Sequence, residues 1–252
     1  MQRDIDLVGS ARVFFHHMSV GDNVLAGLSR VAPTLALKEV SPADGPVVVD
    51  GPAVWHGLLG RNGDPLGKIA AFEAALDGAD GKGLQSPPDI ALMKLCYEDI
   101  QAETDVNALF ARYQEAITRL KQKHPLVRFV HVTAPLLPKD TGVKEFIKGT
   151  LGFKDGNARA NMARGRYNSM VKKSFGDDVI FDLAQAESTH PNGAVEAFER
   201  EGAVWQSLVP AYTQDGAHLA GVGQERAAQA LVVALARALR HRPLAAAPPP
   251  TP

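Results

Sequence analysis

The feature that most constrains this chain is an alternation of apolar runs with segments of helical spacing. Four runs read as buried strands: ARVFF (11–15), DIALMKLCY (89–97), VRFVHVTAPL (127–136) and VIFDLA (179–184). A weaker candidate, PVVVDGPAVW (46–55), is interrupted by Gly51 and Pro52. Between them, apolar residues recur at helical spacing over roughly 23–31, 65–77, 105–122, 157–174 and 221–240. The clearest is 105–122, where Val106, Leu109, Phe110, Tyr113, Ile117 and Leu120 fall on one face. Helix starts are marked by Asp64 before Pro65, by Thr104 or Asp105, and by Gly221 and Gly223 ahead of Glu225. Strand and helix in alternation predict a parallel sheet covered by helices on both faces. Two longer stretches, about 137–156 and 188–214, read as irregular insertions over one end of the sheet.

In such a sheet, sites form beyond the carboxyl ends of the strands. The residues that should converge are therefore His16, His17 and Ser19, then Asn62 and its neighbours, then Glu98 and Asp99, and last DGAHL (215–219). Serine is a poor nucleophile unless a base accepts its proton and a third group orients that base. Ser19 lies where a strand meets a helix, so the helix N-terminus favours negative charge beside it. His218 can act as the base, and Asp215, three residues earlier, can fold its carboxylate against the imidazole. Each part alone has an ordinary reading: a serine here is commonly a helix cap, and a D-x-x-H spacing arises often by chance. Their order on an α/β pattern is what points to acyl transfer.

Composition narrows the classes further. At 252 residues the chain can form one sizeable domain, expected over 1–242, with the Pro/Ala-rich 243–252 read as a disordered tail. A net charge of -1 offers no cationic surplus for nucleic acid or an anionic membrane. The basic run RLKQKH (119–124) ends a helix, where cations complement the dipole. No run is long and apolar enough to span a bilayer, and MQRDIDLVGS lacks the apolar core of a secretion signal. A cytoplasmic protein is expected if Met1 is native, and an exported one if a signal has been removed. Cys96 is the single cysteine, so no intramolecular disulfide can form.

The segments HHMSVGDNVLAGL (16–28) and YTQDGAHLAGVGQERAAQAL (212–231) resemble the first and last sequence blocks of the SGNH hydrolases, or GDSL-type esterases. RYNSMVKKSFGDDVIFDLAQAES (166–188) resembles the helix and strand that precede the last block. The resemblance implies a flavodoxin-like three-layer sandwich, with a mostly parallel five-stranded sheet and helices on both faces. It also implies a catalytic Ser19, His218 and Asp215, with no cofactor. HGLLGRNGDP (56–65) falls where the second block belongs, which would make Gly60 an oxyanion donor beside the Ser19 N–H. LCYEDI (95–100) falls at the third block and departs from it: Cys96 stands for a glycine and Glu98 for the asparagine that donates to the oxyanion. An ionised carboxylate has no proton to donate, so Asn62 is the candidate replacement donor. His17 and Glu98 are expected to line the pocket.

The expected activity is serine-dependent hydrolysis of a short acyl, acetyl-type ester on a polar or carbohydrate alcohol. The alternatives are an O-acyltransferase using the same triad, or a non-catalytic carbohydrate-binding or scaffold relative. The substrate would be a small-molecule or carbohydrate ester; the sequence does not indicate oligomeric state. A zinc site gathered from His16, His17, His56, Asp215 and His218 has the right residue types but no local ligand spacing. GDPLGKI (63–69) is too short for a phosphate loop and has Ile69 where Ser or Thr is needed. Cys96 reads as a small hydrophobe inside a strand.

Overall fold

A computed structural model describes residues 1–58, 60–78, 81–139 and 156–240. The chain opens with helix α1 (Gln2–Val8) and strand β1 (Arg12–His17), followed by α2 (Val20–Val31). Next come β2 (Leu37–Glu39), β3 (Ala53–Leu58), α3 (Pro65–Asp77), β4 (Ile90–Met93), α4 (Val106–Lys123) and β5 (Arg128–Val132). The last part contains α5 (Gly156–Ser174), β6 (Val179–Phe181), α6 (Leu183–Ser188), a hairpin β7 (Ala197–Arg200)–β8 (Ala203–Gln206) and α7 (Val222–Arg240).

The central sheet has six strands in the order β2-β3-β1-β4-β5-β6, and each pairing is parallel. This is the expected flavodoxin-like sandwich with one strand more than the five anticipated. The extra strand is the three-residue edge β2, too short to give a periodic signal. The weak 46–55 candidate divides: Pro46–Val47 pairs with Gly83–Leu84 apart from the main sheet, and Ala53–Leu58 enters the sheet beside β1. The 188–214 stretch, expected to be irregular, contains the β7–β8 antiparallel hairpin. Residues 140–155 of the other stretch, and the 243–252 tail, lie outside the described residues.

Alternation along β1 divides its side chains between two cores. Val13 and Phe15 face α1, α2, α6 and α7, while Phe14 faces α3, α4 and α5. Helix starts follow the expected chemistry. Asp64 accepts from the Gly67 N–H with Pro65 at the first turn, and Asp105 accepts from the Ala108 N–H. From the central β1 the chain first builds outward through β2 and β3, then crosses to β4 on the other side. The carboxyl end of β1 is thus the topological switch point, where crevices form. None of the described helices is long and apolar enough to cross a membrane.

Candidate active site

Ser19 stands at the N-cap position of α2, yet its hydroxyl makes no capping hydrogen bond. Its backbone is at φ 38°, ψ -87°, a positive φ that L-residues rarely adopt. Such strain costs on the order of 1–3 kcal/mol and persists where the surroundings impose it, commonly at sites of function. The Ser19 Oγ lies 3.7 Å from Cys96 Sγ, beyond the end of β4.

That contact corrects the reading of Cys96. Strand β4 ends at Met93, and Cys96 lies beyond it, capping a turn of 3-10 helix at Tyr97–Asp99. The thiol is buried, 3.3 Å from Lys94 Nζ and 3.6 Å from the Met18 carbonyl. It is a wall of the site and not a filler of the sheet.

Asp215 and His218 form a tight pair, with Nδ1 2.7 Å from Oδ2. The other carboxylate oxygen accepts the N–H groups of Ala217 and His218 and the Thr213 hydroxyl. The backbone and ring of His218, donating in concert, hold the Asp215 carboxyl well below the usual carboxylate range. An ionised Asp215 keeps the proton on Nδ1 and leaves Nε2 as the acceptor.

Two contacts bring this dyad to Ser19. Asn23, one turn into α2, accepts from the Leu219 N–H at 3.0 Å. The ring of Tyr97, next to Cys96, meets the His218 imidazole edge-on with centroids 5.9 Å apart. Adjacent residues of one turn therefore touch the hydroxyl and the imidazole. No direct hydrogen bond joins Ser19 to His218 among the described residues. Tyr97 is itself fixed from beneath: the buried Arg164 donates to its carbonyl at 2.7 Å. Asn23, Tyr97 and Arg164 were not anticipated; only an i+4 relation to Ser19 marked Asn23 in the sequence.

The second and third blocks meet through a buried ion pair. Lys68 Nζ lies 2.7 Å from Asp99 Oδ2 and 2.8 Å from Asn62 Oδ1. Asp99 also accepts the N–H groups of Cys96 (2.6 Å) and Gly63 (2.9 Å). Gly60 has φ +54°, two residues beyond Leu58, which pairs with His17 at the end of β1.

The remaining expected residues separate. Glu98 is exposed on the rim. His17 is fully buried, its ring tucked under α2 where a Cβ at Gly21 would lie 2.4 Å away. His17 Nε2 is 3.3 Å from His56 Nδ1, and burial pushes its pKa down to about 3. It supports the floor and has no face on an open pocket. His16 points to the other face of the sheet, bonding the Leu58 carbonyl at 2.8 Å among Phe14 and Phe72. Of the histidines weighed as zinc ligands, His16 thus lies across the sheet from the His17–His56 pair, and no group of three or more potential ligands gathers among the described residues.

No protein-family model matches the sequence, and no curated protein sequence matches it. Solved structures do resemble it. A protein from Streptococcus pneumonia, provisionally called a platelet activating factor, aligns with TM-score 0.52 at 13% identity, over 93% of this chain and 90% of that one. A protein from Desulfitobacterium hafniense DCB-2, provisionally assigned to the lipolytic G-D-S-L family, gives 0.48 at 9% identity over 88% and 98%. A carbohydrate esterase family 3 protein from Talaromyces cellulolyticus gives 0.47 at 10% over 91% and 97%. The likeness is one of architecture: this chain shares the α/β fold of the first of these structures.

Proposed function

We propose that the protein is a serine-dependent ester hydrolase in which Ser19 attacks the acyl carbonyl, His218 accepts its proton, and Asp215 orients the imidazole. The observation that carries this reading is the strained, non-capping Ser19, set on the same Cys96–Tyr97 turn that packs against the Asp215-bonded imidazole. As Ser19 Oγ bonds to carbon, the π electrons move to the carbonyl oxygen. The N–H groups of Ser19 and Gly60 and the Asn62 amide receive that oxyanion. His218 then protonates the departing alcohol, and water repeats the sequence to free the acid.

A short acyl group on a polar or sugar hydroxyl suits the rim, where Asn62, Glu98 and Asp215 all reach solvent. The test is hydrolysis of p-nitrophenyl acetate, butyrate and octanoate, and of acetylated xylose, by wild type and Ser19→Ala. We expect acetate to be preferred, and activity to fall by roughly 10³ or more without the hydroxyl. Undiminished turnover in Ser19→Ala would refute the serine mechanism. Acyl transfer to an added sugar in preference to water would move the protein to the transferase class.

A further inference from the structure

The third-block asparagine is missing from this chain, yet its acid neighbour Asp99 is present and fully buried against Lys68. We propose that Lys68 is the positioning residue of the oxyanion hole, holding both donors that do not belong to the nucleophile. The inference rests on the serine reading above and assigns a role that neither the motif nor the likeness of fold contains.

Three observations combine. First, a lysine ammonium carries only donors. The Asn62 atom 2.8 Å from Nζ must therefore be the carbonyl oxygen, which fixes the amide's orientation on chemical grounds. The Nδ2 group consequently faces away from Lys68, and no acceptor for it occurs among the described residues. Among the described residues it is an unpaired donor, its rotation restrained by the Lys68 bond.

Second, the aliphatic stem of the same lysine is the surface on which Gly60 rests. A Cβ placed on Gly60 would lie 3.2 Å from Lys68 Cγ and 3.4 Å from its Cα. The glycine's positive φ is thus backed by the lysine's own chain.

Third, the charge is neutralised locally. Asp99 takes the ammonium at 2.7 Å and also the Cys96 and Gly63 N–H groups. Lys68 is therefore tied to the loop after β3 and to the turn whose thiol touches Ser19. Polarisation by the ammonium makes the Asn62 amide a stronger donor than a solvated one. A neutral side chain of similar length would retain the packing on Gly60 and lose this effect.

The experiment uses the intact chain and a fluorophosphonate probe, which reacts with an activated serine through an oxyanion-like state whatever the natural ester is. Wild-type labelling mapped to Ser19, and none in Ser19→Ala, tests the underlying reading. On that footing, Lys68→Met and Asn62→Ala should each lower the maximal labelling rate by roughly 10²–10³, with little change in the probe concentration for half-maximal rate. Because both changes remove one device, the double variant should be no slower than either alone. Asn62→Asp preserves an acceptor for Lys68 and removes the donor, so it should keep its melting temperature and label as slowly as Asn62→Ala. If Lys68→Met does not fold by circular dichroism, Lys68→Gln and Asn62→Asp carry the same expectation. Wild-type labelling rates in the Lys68 variants, or losses that multiply in the double variant, would overturn the proposal while leaving Ser19 in place. Failure to label wild-type Ser19 would remove the serine reading and this one with it.

Discussion

The two sides of the candidate site are built in opposite ways. On the side proposed for proton transfer, Asp215 and His218 remain 56% and 39% exposed as side chains, and a short loop of hydrogen bonds holds them. On the side proposed to receive the oxyanion, Lys68 and Asp99 are 0% exposed and knit three segments together. The proposed roles would account for the contrast. A base that passes protons between a hydroxyl and a leaving alcohol works at an open edge, where substrate and water arrive. Donors that meet a transient negative charge are effective only if they need no reorganisation, which calls for a rigid and dry foundation.

If that division holds, the two sides should fail differently. The largest effect is expected from His218→Gln, with kcat on the best ester lowered by roughly 10³–10⁴ and the urea midpoint nearly unchanged. A matching loss of stability would show that the dyad is structural. Asp99→Ala should do the reverse first: leaving Lys68 buried without its partner costs about 3–5 kcal/mol, readable by denaturant unfolding. A cost under about 1 kcal/mol would mean that the pair is solvated and the foundation soft.

A smaller and graded effect concerns the floor. Burial lowers His16 to about 4 and His17 to about 3, so both are neutral in the folded protein. An unfolded histidine titrates near 6.5, so the unfolded chain binds more protons below that pH, and stability falls as pH drops from about 6.5 toward 4. Two protons correspond to a slope of about 2.7 kcal/mol per pH unit at its steepest. Unfolding curves between pH 4 and 7 measure it, and His16→Phe should flatten the slope by about half. An unchanged slope would place the acid sensitivity elsewhere.

Much of this architecture was legible in the sequence, for identifiable reasons. The run at 105–122 became Val106–Lys123 because its apolar face and Asp105 cap agree. The runs DIALMKLCY and VIFDLA overshot their strands, since Lys94 and Cys96 are buried by tertiary contacts and Asp182 caps a helix. Burial without strand geometry leaves no trace in an apolar pattern. The apolar run ends at Phe15 and leaves His16 and His17 beyond the strand, whereas both belong to it and differ by face. Asp215 and His218 were recoverable because their contact is local. The Lys68–Asp99, Arg164–Tyr97 and Tyr97–His218 contacts were not, because they join positions 31 to 121 apart or act through the backbone. Spacing rules describe neighbours on one element and say nothing about polar links between elements.

The backbone of Ser19 has one more consequence. A residue held at φ 38° without a capping bond is a place where the sequence best for folding differs from the one present. Any selection for thermal robustness alone would favour glycine there, relaxing the turn and discarding the hydroxyl. With Ser19 as the proposed nucleophile, the position sets durability against reactivity, and a library screened only for survival on heating would find it early.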